Sequence, residues 1–181
     1  MFLDRYKMTF NPGVSSFKYA LWYFLISPIF KSRFIVFSEW RVLILRLLGA
    51  KVGKSVVIKP GVKIKLPWQL SIGDFSWIGE QAWIDNIAPI EIGSNVCISQ
   101  GAYLCSGSHD WNSPTFDLQL KPIKIHDHVW LAAFSTVAPG TIVQEGVVLT
   151  MGANANGTLE QWQIYSGNPC YSVSERPRNK L

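Results

Sequence analysis

Charged residues and cysteines are both scarce in this sequence. Asp, Glu, Lys and Arg make up 16% of its 181 residues, against roughly a quarter in an ordinary soluble domain. Hydrophobic residues make up 48%, which excludes a disordered chain and supplies the core of one domain. Cys97, Cys105 and Cys170 form no CxxC pair, so we expect reduced thiols in a cytoplasmic protein rather than a disulfide framework.

Long apolar runs are also missing. The longest uncharged stretch near the start, residues 19–30, spans twelve residues and contains Pro28, whereas a helix needs about 20 apolar residues to cross a bilayer. No small-residue cleavage site follows this stretch, so we expect no removable signal peptide. The sequence therefore favours a protein that lies on a membrane, if it meets one, over a protein that crosses it.

Acidic residues are nearly absent from the first part of the chain. Residues 1–51 contain eight Lys or Arg but two acids, whereas the rest of the chain has nine basic and ten acidic residues. Half of the 24 aromatic residues lie within residues 1–50. We expect residues 1–50 to form a helical appendage, which is interrupted near Pro28 and ends at Gly49.

The basic, aromatic character of this appendage limits its partners. A nucleic-acid-binding protein would more often have a basic body, so we expect no nucleic-acid partner. Two interpretations stay open: the helices pack on the body or a sister subunit, or they also contact an anionic surface such as the inner membrane face.

After Gly49, apolar residues recur every six positions. This period belongs neither to a helix nor to a single strand, and it is typical of a β-helix in which three short strands close each coil. The recurring residues are Val52, Ile58, Ile64, Ile72, Ile78, Ile84, Ile92, Ile98, Leu104, Ile125, Leu131, Val137, Val143 and Leu149. The pattern predicts a β-helix over residues 51–155 and a C-terminal tail over residues 156–181.

A polar excursion interrupts the repeat at residues 105–124. Insertions into repeat proteins form loops on one face, and that face often binds ligands. The excursion contains His109, the one histidine outside the pair His126 and His128. We therefore look for function at this break in the repeat.

The repeat resembles that of the hexapeptide-repeat acyltransferases. The segment Ile78–His109, the pair Val129-Trp130 and the triplet Gly167-Asn168-Pro169 are most similar to the O-acetyltransferases of bacterial exopolysaccharide and colanic-acid gene clusters, and the similarity covers roughly residues 35–173. The resemblance implies a mainly β fold, a left-handed parallel β-helix. It also implies acetyl-CoA as co-substrate, a saccharide acceptor, a role in polysaccharide biosynthesis and a homotrimer.

His109 is the candidate catalytic residue. Acetyl transfer to a hydroxyl needs a base, and histidine suits that task near neutral pH. The resemblance implies that His109 takes the hydroxyl proton while the oxygen attacks the thioester directly. An acceptor on the other ring nitrogen must set the tautomer, and either Asp110 or a backbone carbonyl fits this role.

Further residues are candidates for binding the two substrates. The resemblance implies acceptor contacts one coil before His109, although an Asp or Asn at a turn is ordinarily a corner residue. The two residues after His109 are candidates to shape the acceptor pocket because they lie beside it in the excursion. These acceptor candidates are Asp85, Asn86, Asp110 and Trp111. The resemblance also implies a coenzyme A wall formed by Trp130, Ala133, Met151, Asn156 and Gly157.

The chain departs from the family near its end. Asn156-Gly157 stands where a Thr-Lys pair commonly contacts the coenzyme, and Tyr171 replaces a basic residue. The basic residues that could instead bind the phosphates of coenzyme A are Arg176, Arg178 and Lys180.

Two rival functions stay open, whereas a metal site is not expected. His126 and His128 with His109 suggest zinc, but their spacing differs from that in the β-helical carbonic anhydrases, and we expect no metal. One rival function is N-acetylation of a nucleotide-linked amino sugar. The other is a β-helical scaffold without catalysis.

Overall fold

Helices precede the strands in this chain. The structure, a computed structural model, describes residues 2–7, 10–34 and 37–178. After a 3₁₀ turn at Leu3–Arg5, a continuous first helix covers residues 16–31, and a second helix covers Ser38–Leu47. The first helix consists of Ser16–Ala20, the π-helical Leu21–Ile26 and Ser27–Lys31.

The first helix does not break at Pro28, contrary to the sequence-based expectation. Pro28 lies two residues after the π-helical segment, where the N–H of Ser27 donates to the carbonyl oxygen of Trp22, five residues back. A proline inside an α-helix lacks the N–H for the bond to the fourth residue before it, and its ring clashes with that carbonyl. The wider π-helical turn changes this bonding pattern just before Pro28, so the helix continues through it. The helix ends at Ser32, which has an extended backbone.

Among the described residues, twenty short strands follow, and eighteen of them form three sheets that are the sides of a solenoid. The first sheet contains β1 (Lys51–Val52), β4 (Leu70–Ile72), β7 (Ile90–Ile92), β12 (Ile123–Ile125), β15 (Ile142–Val143) and β18 (Thr158–Leu159). The second contains β2 (Val57–Ile58), β5 (Trp77–Ile78), β8 (Cys97–Ile98), β13 (Trp130–Leu131), β16 (Val148–Leu149), β19 (Gln163–Ser166) and β20 (Tyr171–Glu175). The third contains β3 (Lys63–Ile64), β6 (Trp83–Asp85), β9 (Tyr103–Cys105), β14 (Thr136–Val137) and β17 (Asn154–Ala155). The remaining pair, β10 (Gly107–His109) and β11 (Leu118–Leu120), forms an antiparallel hairpin outside the solenoid.

The six-residue period is explained by the stacking of the coils. Ile58 pairs with Ile78 and Ile78 with Ile98 in parallel register, and all three side chains are buried. A single coil could not bury these residues, because each is covered by its equivalents in the neighbouring coils and, at the first coil, by the second helix. The predicted β-helix of hexapeptide repeats is thereby confirmed.

The corners between strands use left-handed backbone conformations. Equivalent positions between the first and second sheets have φ values from 54° to 70°, and they are Ser55, Phe75, Asn95, His128, Gly146 and Trp162. The N–H of Trp162 donates to the carbonyl oxygen of Glu145 at 2.9 Å, so each corner is tied to the coil before it. The described part of the chain thus places His128 at a structural corner.

The helices pack on the first coil and share its core. Val42, Leu45 and Leu48 are buried in the same apolar cluster as Ile58. The indole N–H of Trp22 donates to the carbonyl oxygen of Lys65 at 2.8 Å. These contacts place the helical segments at one end of the solenoid.

The solenoid continues beyond residue 155, where the sequence analysis places the start of a tail. β18 and β19 add further parallel strands, and β20 then pairs antiparallel with β19. The sequence repeat loses its phase here because Leu159, the partner of Val143, follows Ala155 by four residues, whereas Val143 follows Val137 by six. Because this corner is shorter than the others, a six-residue pattern does not predict the last coil.

Candidate functional site

The hairpin leaves the solenoid at the corner between the third and first sheets. It follows β9 and returns to β12, and its strands pair Gly107 with Leu120 and His109 with Leu118. The other corners of this type include Asn86, one coil before the hairpin, and Asn156-Gly157, two coils after it. His109 therefore projects beside a column of corners, as its place at the break in the repeat predicts.

The imidazole of His109 is held by the hairpin itself. Its Nδ1 lies 2.8 Å from the carbonyl oxygen of Phe116, and its ring stacks on the Phe116 ring at 4.1 Å. A carbonyl oxygen only accepts, so in the neutral imidazole Nδ1 carries the proton and the free lone pair is on Nε2. The two alternatives for the tautomer partner are thus resolved in favour of a backbone carbonyl.

Asp110 serves the hairpin turn rather than the histidine ring. Its Oδ1 accepts the backbone N–H of Asn112 at 2.9 Å, an arrangement that stabilises turns. Trp111, the next residue, has 79% of its surface exposed. Both side chains lie at the outer part of the hairpin, beside His109 in sequence.

A second carboxylate organises the same turn. Hydroxyls of Ser113 and Thr115 each donate to Asp117 at 2.7 Å. The bond from Thr115, followed by that from Ser113, lowers the pKa of Asp117 below its usual value, because hydrogen bonds to the charged form favour it.

Asp85 lies one coil before the hairpin and is almost fully buried. Its Oδ1 is 3.0 Å from Nζ of Lys65, and the hydroxyl of Tyr103 donates to Oδ2 at 3.2 Å. Burial is the main cause that raises the pKa of Tyr103, with Cys105 and Asp85 adding to it, so this phenol stays protonated. Asp85 is thus held within its own chain by an ion pair on one carboxylate oxygen and a hydrogen bond on the other.

Asn86 is a corner residue and not a surface contact, which corrects its assignment as an acceptor candidate. Its exposed fraction is 0%. Its Oδ1 accepts the backbone N–H groups of Lys65 and Leu66, and its Nδ2 donates to the carbonyl oxygen of Leu66 at 2.6 Å. The side chain is used entirely in tying one coil to the previous one.

Three of the donor candidates lie on one side of the solenoid. Trp130 points outward from the second sheet, half-exposed, and its indole N–H donates to the Ser99 hydroxyl at 3.0 Å. Ala133 and Met151 lie at the next corner, where the N–H of Gly152 donates to the carbonyl oxygen of Ala133. Met151 is exposed.

A cavity of about 360 Å³ opens on the second sheet beside these residues. Trp77, Cys97 and Ser99 are among the residues that line it. Cys97 is the register partner of both Trp77 and Trp130, so the cavity and Trp130 form a continuous outer surface.

Asn156 and Gly157 lie elsewhere, at the corner between the third and first sheets. Both are exposed, and this corner is the one from which the His109 hairpin projects. A single solenoid therefore divides the donor candidates into two groups, one on the His109 side and one around Trp130.

The basic residues near the C-terminus occupy the third kind of corner. Arg176 donates from Nη1 to the carbonyl oxygens of His128 and Gly146 at 2.8 and 3.0 Å. The guanidinium groups of Arg176 and Arg178 lie 5.8 and 5.4 Å from the centre of the Trp162 ring. Lys180 lies outside the described residues. Arg176 thus closes the solenoid corner and does not lie near Asn156-Gly157.

The histidines are not gathered into a metal site. Over residues 2–7, 10–34 and 37–178, no group of three His, Cys, Asp or Glu side chains could hold a metal ion. His126 and His128 lie at a corner between the first and second sheets, whereas His109 projects from a different corner.

The N-terminal segment contacts the hairpin, which the sequence pattern does not predict. The N–H of Phe2 donates to the carbonyl oxygen of Pro114 at 2.8 Å, and the rings of Tyr6 and His109 meet at a steep angle, with ring centres 5.6 Å apart. No local signal indicates this contact, because the two segments are about a hundred residues apart in the sequence.

The chain is similar to known acetyltransferases over most of its length. No protein-family profile matches it. It is 39% identical over 164 residues to the colanic acid biosynthesis acetyltransferase WcaF of Escherichia coli K12, covering 91% of this chain and 90% of that protein. It is also 33% identical over 135 residues to a tetrahydropyridine-dicarboxylate N-succinyltransferase of Paramagnetospirillum magneticum, covering 69% of this chain and 45% of that protein.

Solved structures share the fold at lower identity. A maltose O-acetyltransferase of Clostridium difficile superimposes with a TM-score of 0.78 at 21% identity, covering 84% of this chain and 83% of that one. A hexapeptide-repeat acetyltransferase of Vibrio cholerae, in complex with acetyl-CoA, superimposes with a TM-score of 0.77 at 18% identity, covering 84% of each chain. The repeat, the left-handed β-helix and the close relative together show that this chain belongs to the hexapeptide-repeat acetyltransferases and is an acyltransferase.

Proposed function

We propose that the protein transfers the acetyl group of acetyl-CoA to a saccharide hydroxyl in exopolysaccharide biosynthesis. The observation that carries this proposal is the imidazole of His109, whose Nδ1 is occupied by the Phe116 carbonyl and whose Nε2 is left to act as a base. The acceptor class rests on the likeness to the colanic acid acetyltransferase. The three cysteines are free thiols, which supports a cytoplasmic location.

The proposed reaction is a direct transfer. His109 Nε2 accepts the proton of the acceptor hydroxyl while that oxygen bonds to the thioester carbonyl carbon. The carbon–sulfur bond then breaks, and His109 returns the proton to the departing thiolate. The products are an acetyl ester and coenzyme A, so the histidine ends in its starting state.

We propose that the donor lies between two subunits of a homotrimer. His109, Asn156 and Gly157 project from one corner, whereas Trp130, Ala133 and Met151 lie around another. A neighbouring solenoid that places its Trp130 side against the hairpin would unite both groups. Sedimentation velocity of the purified protein tests this arrangement, and a monomer at working concentration would contradict it.

Asp85, Asp110 and Trp111 remain our proposed acceptor contacts. Asp110 and Trp111 extend from the strand that carries His109, and Trp111 offers an exposed ring of the kind that packs on sugar faces. Asp85 is nearly covered within one chain, so its contact would involve the edge of its carboxylate beside Lys65.

Calorimetric titration with acetyl-CoA tests donor binding before the acceptor is known. We expect about one site per chain, with micromolar to sub-millimolar affinity. H109A should retain this binding and lose transfer to every acceptor, while H126A, a change at a corner away from the hairpin, should keep both. Absence of binding by the unmodified protein would favour the non-catalytic scaffold.

An amine acceptor is the second candidate. It is favoured by the 33% identity to an N-succinyltransferase. Parallel assays with matched hydroxyl and amino sugars, including nucleotide-linked amino sugars, distinguish the two. Preferential acetylation of the amine would overturn the O-acetyltransferase proposal but would leave the proposed acetyl-CoA site unchanged.

A further inference from the structure

We propose that the two N-terminal helices dock on the surface of an anionic lipid bilayer. The docking face consists of large apolar side chains that the solenoid leaves exposed. The most important of them are Phe17, Phe24, Phe34, Trp40, Leu43 and Leu47. Within the described ranges, no helix is long and apolar enough to cross a membrane, so the contact we infer lies in the plane of the surface.

The second helix carries apolar residues on two opposite sides. Val42 and Leu45 are buried against the first coil, whereas Trp40, Leu43 and Leu47 are exposed. The exposed three are spaced by three and four residues and therefore form one stripe. A surface helix normally presents a polar side to water, and a helix that is apolar on both sides needs a partner on each. The solenoid supplies one partner and leaves the second side uncovered.

The first helix repeats this arrangement. Trp22 and Phe30 are fully buried, while Phe17 and Phe24, one heptad apart, are 78% and 75% exposed. The exposed Leu25 lies beside Phe24. The two helices are joined by a short connection that presents Phe34 at 96% exposure. Exposed apolar side chains thus continue from one helix to the next.

Charge indicates which partner covers this face. Lys31, Arg33, Arg46 and Lys51 are exposed around it. Glu39 is the one acidic residue between positions 17 and 51. A face that is both apolar and basic fits anionic headgroups above acyl chains.

A second copy of this chain fits the face less well. Pairing the face with itself would bring basic residues together, and the rest of the chain has nearly balanced charge, with nine basic and ten acidic residues. Aromatic side chains, abundant on the face, are favoured at membrane–water interfaces. The observations therefore favour the lipid surface over a sister subunit.

Sedimentation of the full chain with vesicles tests the proposal directly. We expect binding to vesicles that contain phosphatidylglycerol, weaker binding to phosphatidylcholine alone, and a decrease with added salt. The triple variant F24S/L43S/L47S should bind at least about tenfold more weakly, because three apolar side chains no longer enter the lipid. The matched variant F75S/I142S/V173S alters exposed apolar residues of the solenoid and should bind as the unmodified chain does.

Charge variants and a spectroscopic measurement on the full chain distinguish a loss of membrane binding from a loss of folding in the triple variant. K31E/R33E should weaken binding to phosphatidylglycerol vesicles, whereas K121E/K124E on the solenoid should not. Brominated lipid should quench tryptophan fluorescence of the full chain, and W40F should reduce that quenching more than W77F does.

Three results would overturn the proposal. The unmodified chain could fail to bind phosphatidylglycerol vesicles, or F24S/L43S/L47S could bind them unchanged. Alternatively, F24S/L43S/L47S could lower the oligomer mass in sedimentation velocity, which would make the face a subunit interface. None of these results bears on transfer to a water-soluble acceptor, so the proposed reaction is tested independently.

Discussion

The solenoid and the hairpin that carries His109 are held together by different kinds of contact. In the solenoid, strands pair with strands one coil away, as Ile58 does with Ile78, and their side chains are buried. In the hairpin, strands pair within a short segment, and polar bonds from Ser113 and Thr115 to Asp117 hold the turn. The stack thus provides a frame of buried contacts, and the insertion to which we assign the chemistry is not constrained by the repeat.

This comparison predicts that changes in the two regions have different consequences. A substitution in the solenoid should lower the free energy of unfolding, because its contacts are buried and shared between coils. A substitution in the hairpin should alter activity with little effect on stability.

The largest expected effect is that of H109A on activity. Loss of the base should reduce the transfer rate by about 10²–10⁴-fold, while the melting temperature stays close to that of the unmodified protein. Steady-state transfer assays and calorimetry measure the two quantities. If H109A has a lowered melting temperature but an unchanged transfer rate, the hairpin contributes to stability and not to activity, and the comparison with the solenoid is wrong.

The next largest effect is the loss of stability expected when Asn86, a residue of the solenoid, is replaced. N86A should destabilise the protein by about 3 kcal/mol, because buried backbone groups of Lys65 and Leu66 lose their partner. The exposed hairpin residue Asn112 provides the control, and N112A should change stability by less than about 0.5 kcal/mol. Denaturant unfolding measures both. Normal stability with lost acceptor affinity would instead restore Asn86 as an acceptor contact.

Substitutions of two glycines allow the cost of backbone strain to be measured apart from the cost of crowding between coils. Gly146 and Gly152 both have φ of +70°, but a Cβ on Gly146 would lie 2.5 Å from the Trp162 ring, whereas one on Gly152 would meet nothing within 4 Å. G152A should cost about 1 kcal/mol from the left-handed conformation alone. G146A should cost at least about 1 kcal/mol more, because Trp162 must move. Equal losses in thermal unfolding would show that the coils do not pack as tightly as this geometry requires.

The smallest effect is an acid-induced loosening of the hairpin. The pKa of Asp117 is lowered in the folded protein by bonds from Thr115 and Ser113. Its contribution to stability is therefore complete above the ordinary carboxyl pKa and is lost as the pH falls through the lowered value. Hydrogen exchange of the hairpin amides should accelerate in acid relative to the solenoid amides. D117N should remove most of this pH dependence; an unchanged profile in D117N would exclude Asp117 as its cause.

The position of each coil follows from the sequence because burial in a β-helix repeats at a constant spacing. The buried Ile58, Ile78 and Ile98 are recognisable one by one from their place in the series. The last coil escaped this pattern, since its corner at Asn156-Gly157 is shorter than the others. The place of His109 was predictable for the same reason, because it lies where the repeat is interrupted.

What the sequence determined by itself was the period, and with it the fold class, the extent of most coils and the break that contains His109. Only the tertiary structure decided that Phe116 sets the histidine tautomer, that Tyr6 covers its ring and that Asn86 lies inside. The physical reason is that a constant period needs only the order of apolar residues. These three contacts depend on a backbone carbonyl, on a distant segment and on the direction in which one corner side chain points.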